Sequence, residues 1–334
     1  MKQLAFGIYE ALIDESIREA LASRPELRSV FGKIDPEELP GLYASFVAKV
    51  LEQALREERN PEKRFELCNR ILAQVAGEPG MSHLAKHRLI KEKKSILLEI
   101  TPANYASSGL PRPQSSLTES SLFTGSPQEP QLAHELLEEM KSADSVDILV
   151  SFVKWSGLRL LMPAFEDLRL REIPVRVITT SYMGASDAPA VEWLAAMPNV
   201  KVRLSYDTER TRLHAKAYHF KRKSDYSTAY IGSANMSNAA MTSGLEWNLK
   251  VTAQDMGHIL EKFTAEFETY WNSKEFIPFD HLQPERFRDA IGRERNKTAG
   301  VRNVFLTFRR TPSRSASSKL CSGSANSTIA IKTL

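Results

Sequence analysis

Four residues in the second half of the chain have the types and the spacing that phosphate chemistry needs. His214 and Lys216 stand two residues apart in LHAKAYHF, Asn235 ends TAYIGSAN, and Glu246 lies in SGLEWNLKV. A neutral imidazole can attack phosphorus directly, and a carboxylate on its second nitrogen would fix the tautomer and stabilise the resulting cation. An ammonium and an amide supply charge and hydrogen-bond donors to the non-bridging oxygens. The set therefore predicts displacement at phosphorus by a histidine, which requires no metal ion.

The segments around these residues predict an α/β domain. Three apolar runs, over 145–153, 175–179 and 200–204, alternate with helical patterns, which implies crossover connections and a largely parallel sheet. The candidate residues lie in or next to three further predicted strands, over 213–220, 228–232 and 245–252. The predicted fold is a mixed, largely parallel β-sheet flanked by helices, preceded by a small all-helical domain.

The predicted strand over 213–220 determines which side chains share a face. Residues i and i+2 of a strand point the same way, so His214 and Lys216 are expected to project into one space. His219 has the opposite parity, and we interpret it as a structural residue.

Composition and patterning divide the chain into five parts. Helical periodicity over 1–100 predicts a helical domain, and the stretch rich in Ser, Pro and Gly over 101–128 reads as a linker. The α/β domain is predicted over 129–275 and a helical extension over 276–299. Residues 300–334 form a basic, Ser-rich tail that is expected to be disordered.

The overall composition is that of a soluble protein in a reducing compartment. The 334 residues are 42% hydrophobic and 26% charged, and no apolar run reaches the length of about 18 residues that a membrane span needs. Two cysteines cannot form a disulfide framework or a four-thiolate zinc site. The expected location is the cytoplasm, without membrane association.

The net charge of +4 does not by itself indicate nucleic-acid binding. From Arg295 to the end there are eight Lys or Arg residues and no acid, so the preceding residues are net acidic. An interaction with nucleic acid must therefore rest on local residues. Four such candidates for contacts to substrate phosphates are Ser233, Arg212, Lys154 and Arg159. The alternative for Ser233 is a residue that only ends a strand, and the default alternative for the three cations is a solvated surface charge.

The segments HAK and GSAN together resemble the phospholipase D superfamily, whose hallmark is H-x-K followed later by G-S-x-N. The stretches SFVKWSGLRLL, TTSYMGA, STAYIGSANMS and GLEWN are most similar to the module near the amino terminus of certain bacterial superfamily 2 helicases. The sequence is also similar to phospholipase D-type restriction nucleases, in which His, Lys, Asn and a later Glu form the site. The superfamily's H-x-K-x4-D pattern is absent, because Lys221 stands where the Asp is expected.

The resemblance implies a homodimer, since the superfamily uses two histidines in line and this chain has one H-x-K. It also implies that His214 forms a phosphohistidine, that Lys216 and Asn235 hold the phosphoryl oxygens, and that Glu246 orients His214. No phosphate-binding loop of the GxxxxGK[ST] type is present, and we expect the tail to be a truncated or frame-shifted remnant of a longer helicase.

These observations predict a metal-independent phosphodiesterase, without cofactor, that cleaves nucleic acid at a composite dimer site. DNA is the expected substrate and RNA the alternative. A competing hypothesis is a non-catalytic nucleic-acid-binding or regulatory module that retains the phosphate pocket. A phospholipid hydrolase is a third, which the missing Asp disfavours.

Overall fold

The chain divides into two compact units, over 1–100 and 101–334. The computed structural model describes residues 5, 7–90, 96–101, 109, 111–210 and 212–307, with only the helical backbone over 298–307. Among the described helices, none is long and apolar enough to cross a bilayer.

The first unit is helical where it is described. It contains a 3-10 helix over Ser82–His87 and three α-helices: α1 (Glu15–Ala22), α2 (Leu39–Glu57) and α3 (Pro61–Gly77). Side chains fix two of the helix starts, since Asp14 accepts a hydrogen bond from the Ile17 N–H at 2.8 Å and Asn60 accepts one from the Glu62 N–H at 2.9 Å.

The second unit is built on one eight-stranded sheet. Its strands are β1 (Ser121–Phe123), β2 (Ser145–Val150), β3 (Val175–Thr180), β4 (Val200–Ser205), β5 (Lys216–Lys221), β6 (Thr228–Gly232), β7 (Asn248–Thr252) and β8 (Phe276–Pro278). Its helices are α4 (Leu132–Ser142), α5 (Trp155–Leu170), α6 (Ala188–Ala196), α7 (Asn238–Thr242), α8 (Ala253–Asn272) and α9 (Pro284–Thr307), with a 3-10 turn over Tyr182–Gly184. The spatial order of the strands is β1-β7-β6-β5-β2-β3-β4-β8.

The mixed α/β fold with flanking helices is confirmed, but the prediction of a largely parallel sheet is wrong. Only the β2–β3 and β3–β4 pairs are parallel, and they are the pairs joined by the crossover helices α5 and α6. The β2–β5, β5–β6, β6–β7, β1–β7 and β4–β8 pairs are antiparallel. Strands β5 and β6 follow each other through a short turn, which reverses the chain direction and so favours antiparallel pairing.

Helices cover both faces of the sheet. Helices α4, α5 and α6 bury their apolar stripes in the main core, with Leu136, Leu158, Phe165 and Val191 among its members. Helix α8 covers the other face, where Phe267 packs with Leu149 and Ile178. Burying a side chain of this size stabilises the fold by about 1.5–3 kcal/mol, so the two layers hold the sheet edges in fixed positions.

Two short strands lie outside the predicted strand regions. Strand β1 falls within the stretch 101–128 that the composition predicts to be a linker, and β8 begins the predicted helical extension over 276–299. Strand β1 pairs with β7, the strand that follows Glu246. The predicted disordered tail lies outside the described residues from 308 onwards.

A buried ionic network joins α4 to the sheet. Glu139 is fully buried and lies 2.5 Å from Arg222 Nη2 and 3.0 Å from Lys250 Nζ. The Thr228 hydroxyl donates to it at 2.8 Å and the Tyr230 hydroxyl at 3.1 Å. Burial alone would raise the pKa of Glu139, but Arg222 and Lys250 hold this pKa below its ordinary value.

The same network holds the chain that precedes β1. The Gln114 N–H donates to Glu135 Oε1 at 2.8 Å, and the Ser115 hydroxyl donates to the same carboxylate. Lys250 Nζ donates to Ser115 Oγ at 2.7 Å. The segment before β1 is therefore attached both to α4 and to β7.

Candidate active site

The candidate residues gather at one edge of the sheet. Lys216, the first residue of β5, pairs with Val150, the last residue of β2. Gly232, the last residue of β6, pairs with Asn248, the first residue of β7. This edge contains the carboxyl end of β2 and of its parallel neighbours β3 and β4. Ligands of open α/β sheets bind at such edges.

His214 and Lys216 are in direct contact. Lys216 Nζ lies 3.0 Å from His214 Nδ1 and 3.2 Å from Nε2, and it donates to the His214 carbonyl oxygen at 2.7 Å. The predicted strand start at 213 is wrong, because β5 begins at Lys216 and His214 lies in the preceding loop. An ammonium group can only donate, so this contact fits a neutral imidazole whose unprotonated nitrogen accepts from Lys216.

Lys216 is a buried cation beside an exposed histidine. The lysine side chain is 6% exposed, whereas His214 is open to solvent. Burial lowers the pKa of Lys216, and the charge of Glu246 acts in the opposite direction. Among the described residues, no carboxylate forms a salt bridge with this lysine. The site thus contains a partly desolvated positive charge that forms no salt bridge with a described carboxylate, although the charge of Glu246 acts on it.

Asn235 is held at the same edge by the segment after β2. Its Oδ1 accepts a hydrogen bond from the Phe152 N–H at 3.1 Å, and its side chain is buried. Within the described part of the chain, no hydrogen bond engages Asn235 Nδ2, so this amide can donate to a ligand.

Ser233 connects β6 to β7 through the backbone of Trp247. The Ser233 hydroxyl accepts from the Trp247 N–H at 3.0 Å, and the Ser233 N–H donates to the Trp247 carbonyl at 3.0 Å. Asn248 adds a third link, since its Oδ1 accepts from the Ala234 N–H at 3.3 Å. Asn248 is a residue that sequence reasoning missed; a polar amide at the entrance of a buried strand is the signal that could have identified it.

The negative charge of Glu246 acts on Lys216, but the Glu246 side chain forms no hydrogen bond with His214. Its charge raises the pKa of Lys216 and adds to the burial that raises the pKa of Tyr218. Between the described residues Glu246 and His214, the structure forms no hydrogen bond. The predicted orienting contact is therefore absent from this arrangement.

The three predicted phosphate-contacting cations occupy different environments. Lys154 is the N-cap residue of α5; its N–H donates to the Met236 carbonyl at 2.8 Å and its Nζ lies 3.4 Å from Asp187 Oδ1. The Arg212 guanidinium lies 5.9 Å from the centre of the Tyr182 ring, and Arg159 is exposed on α5. Lys154 is thus adjacent to the Asn235 segment but already partly neutralised.

His219 points away from this group, as expected of a structural residue. Its ring is buried and packs edge-on against Phe263 of α8, with 5.0 Å between ring centres. Burial lowers the pKa of His219 to about 4, so the ring is neutral at physiological pH.

Comparison with known proteins agrees with this geometry. Residues 136–271, which include the four candidate catalytic residues, match the family model described as cardiolipin synthase, PLD-like domain. The match covers less than half of the chain, and over these residues the chain is similar to phospholipase D-like domains. No curated protein sequence matches the chain.

Solved structures similar to part of this chain include NucT and Nuc. NucT from Helicobacter pylori is 25% identical with a TM-score of 0.39, and the match covers 48% of this chain and 99% of NucT. Nuc from Salmonella typhimurium, a phospholipase D family member, is 18% identical with a TM-score of 0.36 and the same coverages. Phosphatidylserine synthase from Haemophilus influenzae is 12% identical with a TM-score of 0.34, over 56% of this chain and 46% of the synthase.

Among the residues that the structure describes, no group of three or more His, Cys, Asp or Glu side chains is arranged to hold a metal ion.

Proposed function

We propose that the α/β unit contains a phospholipase D-like domain and that this domain is a metal-independent phosphodiesterase that cleaves nucleic acid, with DNA as its expected substrate and RNA as the alternative. The contact between the exposed His214 ring and the buried Lys216 ammonium carries the proposal. A partly desolvated cation that forms no salt bridge attracts an anion, and when the ammonium binds the phosphate the lone pair of the neutral imidazole becomes available to attack phosphorus.

The reaction proceeds in two displacements. A ring nitrogen of His214 forms a bond to phosphorus while the bond from phosphorus to one ester oxygen breaks, and a general acid gives that oxygen a proton. Water then attacks phosphorus, the nitrogen–phosphorus bond breaks with its electrons returning to the ring, and the water proton goes to the group that acted as acid. Lys216 and Asn235 Nδ2 bind the non-bridging oxygens, where negative charge accumulates.

The general acid in this proposal is His214 of the partner subunit in a homodimer. The chain has one H-x-K segment, and His214 is exposed at the sheet edge, so a two-fold axis can bring two copies of the ring to one phosphate. We further propose that the protein is cytoplasmic and that it is related to helicase-associated modules or to restriction nucleases.

One observation favours the second candidate, a module that binds nucleic acid without cleaving it. Between the described residues Glu246 and His214 there is no hydrogen bond, so Glu246 does not orient the histidine in this arrangement. In that case the domain would bind phosphates in a salt-sensitive manner and hydrolyse nothing.

A cleavage assay in EDTA separates the candidates. We expect the purified protein to cleave end-labelled DNA or RNA in EDTA, and His214→Ala to lower the rate by about 10³-fold or more. His258→Ala is the matched control, because His258 is an exposed histidine on α8. A strict requirement for added divalent metal, or turnover of phospholipid vesicles but not of nucleic acid, would contradict the proposal. Salt-sensitive binding without any turnover would favour the second candidate.

A further inference from the structure

Helix α9 lies outside the residues that are similar to phospholipase D-like domains, yet it contacts two segments that carry or support the candidate site. The similarity spans residues 136–271, whereas α9 begins at Pro284. Two adjacent residues of the helix, Glu294 and Arg295, bond these segments. The similarity to phospholipase D-like domains therefore does not account for α9.

Glu294 holds the segment that carries His214. This segment joins β4 to β5, and the Thr208 hydroxyl within it donates to Glu294 Oε1 at 3.1 Å. The Glu294 residue is largely buried. Close to Thr208, the ring of Tyr206 packs edge-on against Phe287 of α9, with 6.4 Å between the ring centres. The first half of the segment is therefore attached to α9 upstream of His214.

Arg295 holds the segment that follows β3. Its Nε donates to the Gly184 carbonyl at 2.8 Å, and its Nη2 donates to the Ser186 carbonyl at 2.9 Å. A Cβ at Gly184 would lie 2.6 Å from the Ile291 carbonyl oxygen of α9, so the two backbones are in close contact. The helix is thus fixed to this segment both by a guanidinium group and by its backbone.

The segment after β3 in turn supports Asn235. The Ser186 hydroxyl accepts from the Val153 N–H at 3.2 Å, and the Asp187 N–H donates to the Val153 carbonyl at 2.8 Å. Val153 follows Phe152, whose N–H donates to Asn235 Oδ1 at 3.1 Å. A displacement of the segment after β3 would therefore reach the Asn235 amide through Val153 and Phe152.

We infer that α9 positions the candidate site, and that Glu294 and Arg295 are positioning residues for His214 and Asn235 respectively. This inference rests on the proposed function, because it concerns where the nucleophile and a phosphate-binding amide lie. Both residues act through the segments that they hold and not through contact with the substrate. Attack on phosphorus depends steeply on alignment, since a displacement of about 1 Å can lower a rate roughly 10²-fold.

Arg295 has a matched control on the same helix. The Arg288 side chain is 52% exposed and that of Arg295 is 54% exposed, but the Arg288 guanidinium bonds Glu192 of α6 and Glu285 of α9. Each alanine variant removes the hydrogen bonds of one half-exposed arginine, so similar small losses of stability are expected. We expect Arg295→Ala to lower kcat for nucleic-acid cleavage by about tenfold or more, and Arg288→Ala to leave kcat close to the wild-type value.

Thr208 tests the contact to Glu294. Thr208→Val removes the hydroxyl and keeps the shape of the side chain, whereas Thr208→Ser keeps the hydroxyl. The valine variant should lower kcat and leave KM nearly unchanged, because Lys216 and Asn235 bind the phosphate without this contact. The serine variant should retain most of the wild-type kcat. A purely structural contact would lower the free energy of unfolding of Thr208→Val without changing kcat at a temperature where the variant is folded.

Hydrogen–deuterium exchange of backbone amides supplies a readout that does not depend on cleavage. Exchange should become faster over 206–214 in Thr208→Val and over 181–187 in Arg295→Ala, and Arg288→Ala should change neither segment. These local changes in a protein that cleaves no nucleic acid would contradict the proposed function and leave the positioning role intact. Cleavage with the wild-type kcat in both Thr208→Val and Arg295→Ala would overturn the positioning role alone.

Discussion

Lys216 is the residue through which pH acts most directly on the proposed chemistry. The ammonium must stay protonated to bind the phosphoryl oxygens, but burial lowers its pKa. Glu246 opposes this shift with its negative charge. We therefore expect activity to fall as pH rises through the pKa of Lys216. The charge of Glu246 raises this pKa and so moves the fall in activity to higher pH.

Replacing Glu246 tests this assignment. Glu246→Gln removes the charge that raises the pKa of Lys216, so the lysine loses its proton at a lower pH. We expect the alkaline limb of the profile of kcat/KM against pH, which reports on the free enzyme, to move to lower pH. Glu246→Asp keeps the charge and should leave the limb close to its original position. An unchanged limb in Glu246→Gln would show that Glu246 does not act through the lysine.

Residue types and spacing predicted part of the site. The two-residue spacing correctly placed His214 and Lys216 in one space, although a loop and a flexible side chain produce the contact rather than strand alternation. Asn235 reaches this edge through the Phe152 N–H, a partner 83 positions away that no local pattern reveals. Glu246 approaches the lysine rather than the histidine, because its position depends on how β7 pairs with β6.

Helix α5 depends on a glycine at its contact with the segment after Asn235. A Cβ at Gly157 would lie 2.4 Å from the Met236 carbonyl carbon and 2.4 Å from the Ser237 nitrogen, which are backbone atoms. The backbone must therefore move if this position carries any side chain. The movement would begin one residue from Asn235, so Gly157 determines where that amide lies.

We expect Gly157→Ala to destabilise the domain and to reduce turnover, because the clash with the backbone outweighs the better helix propensity of alanine. Gly292→Ala in α9 is the matched control, since nothing lies within 4 Å of its Cβ position. There the helix propensity acts alone and should stabilise the protein by about 0.5–1 kcal/mol. Chemical denaturation and the cleavage assay measure both variants. Equal stability changes in the two variants would contradict the close approach of α5.

A second prediction concerns the buried Glu139, which joins α4 to the sheet. Glu139→Ala leaves Arg222 and Lys250 without their counter-charge and should lower the free energy of unfolding by about 3–5 kcal/mol. Glu166→Ala breaks a largely exposed pair with Arg169 and should cost less than about 1 kcal/mol. Urea denaturation of both variants measures the difference, and similar costs would show that the network contributes little.

The same carboxylate predicts how stability depends on pH. Its pKa in the folded protein is below the ordinary value of 4.5, so its contribution is complete above that value and is lost as pH falls through the folded pKa. We expect the free energy of unfolding of the wild type to decrease below about pH 4.5 and that of Glu139→Gln to decrease less. Parallel pH profiles for the two proteins would contradict this linkage.

Periodicity predicted most of the elements but not their arrangement. Apolar runs located the strands from β2 to β7, because burial on both faces leaves a clear mark in the sequence. The same runs do not say which strands are neighbours, and the insertion of β5 beside β2 made most pairs antiparallel. The three-residue strands β1 and β8 are too short to show an alternating pattern.

At the scale of the whole molecule, the proposed composite dimer site predicts that one inactive subunit inactivates the whole dimer. If each site needs His214 from both subunits, a dimer of one wild-type and one His214→Ala chain is inactive. Random exchange of equimolar chains should then leave roughly a quarter of the dimers active. Differently tagged, co-purified mixed dimers provide the measurement. Half of the wild-type activity in such dimers would show that each subunit cleaves independently.

The hydrogen bonds of Gln114 and Ser115 determine where a shortened fragment of the α/β unit can begin. A fragment that starts at 129, at the amino end of the predicted catalytic domain, would lose the hydroxyl that donates to Glu135 and receives from Lys250. It would also lose the strand that covers the outer edge of β7 and would leave that edge free for pairing with other molecules. Fragments intended for crystallisation or assay should therefore begin upstream of Gln114, and shorter ones should aggregate.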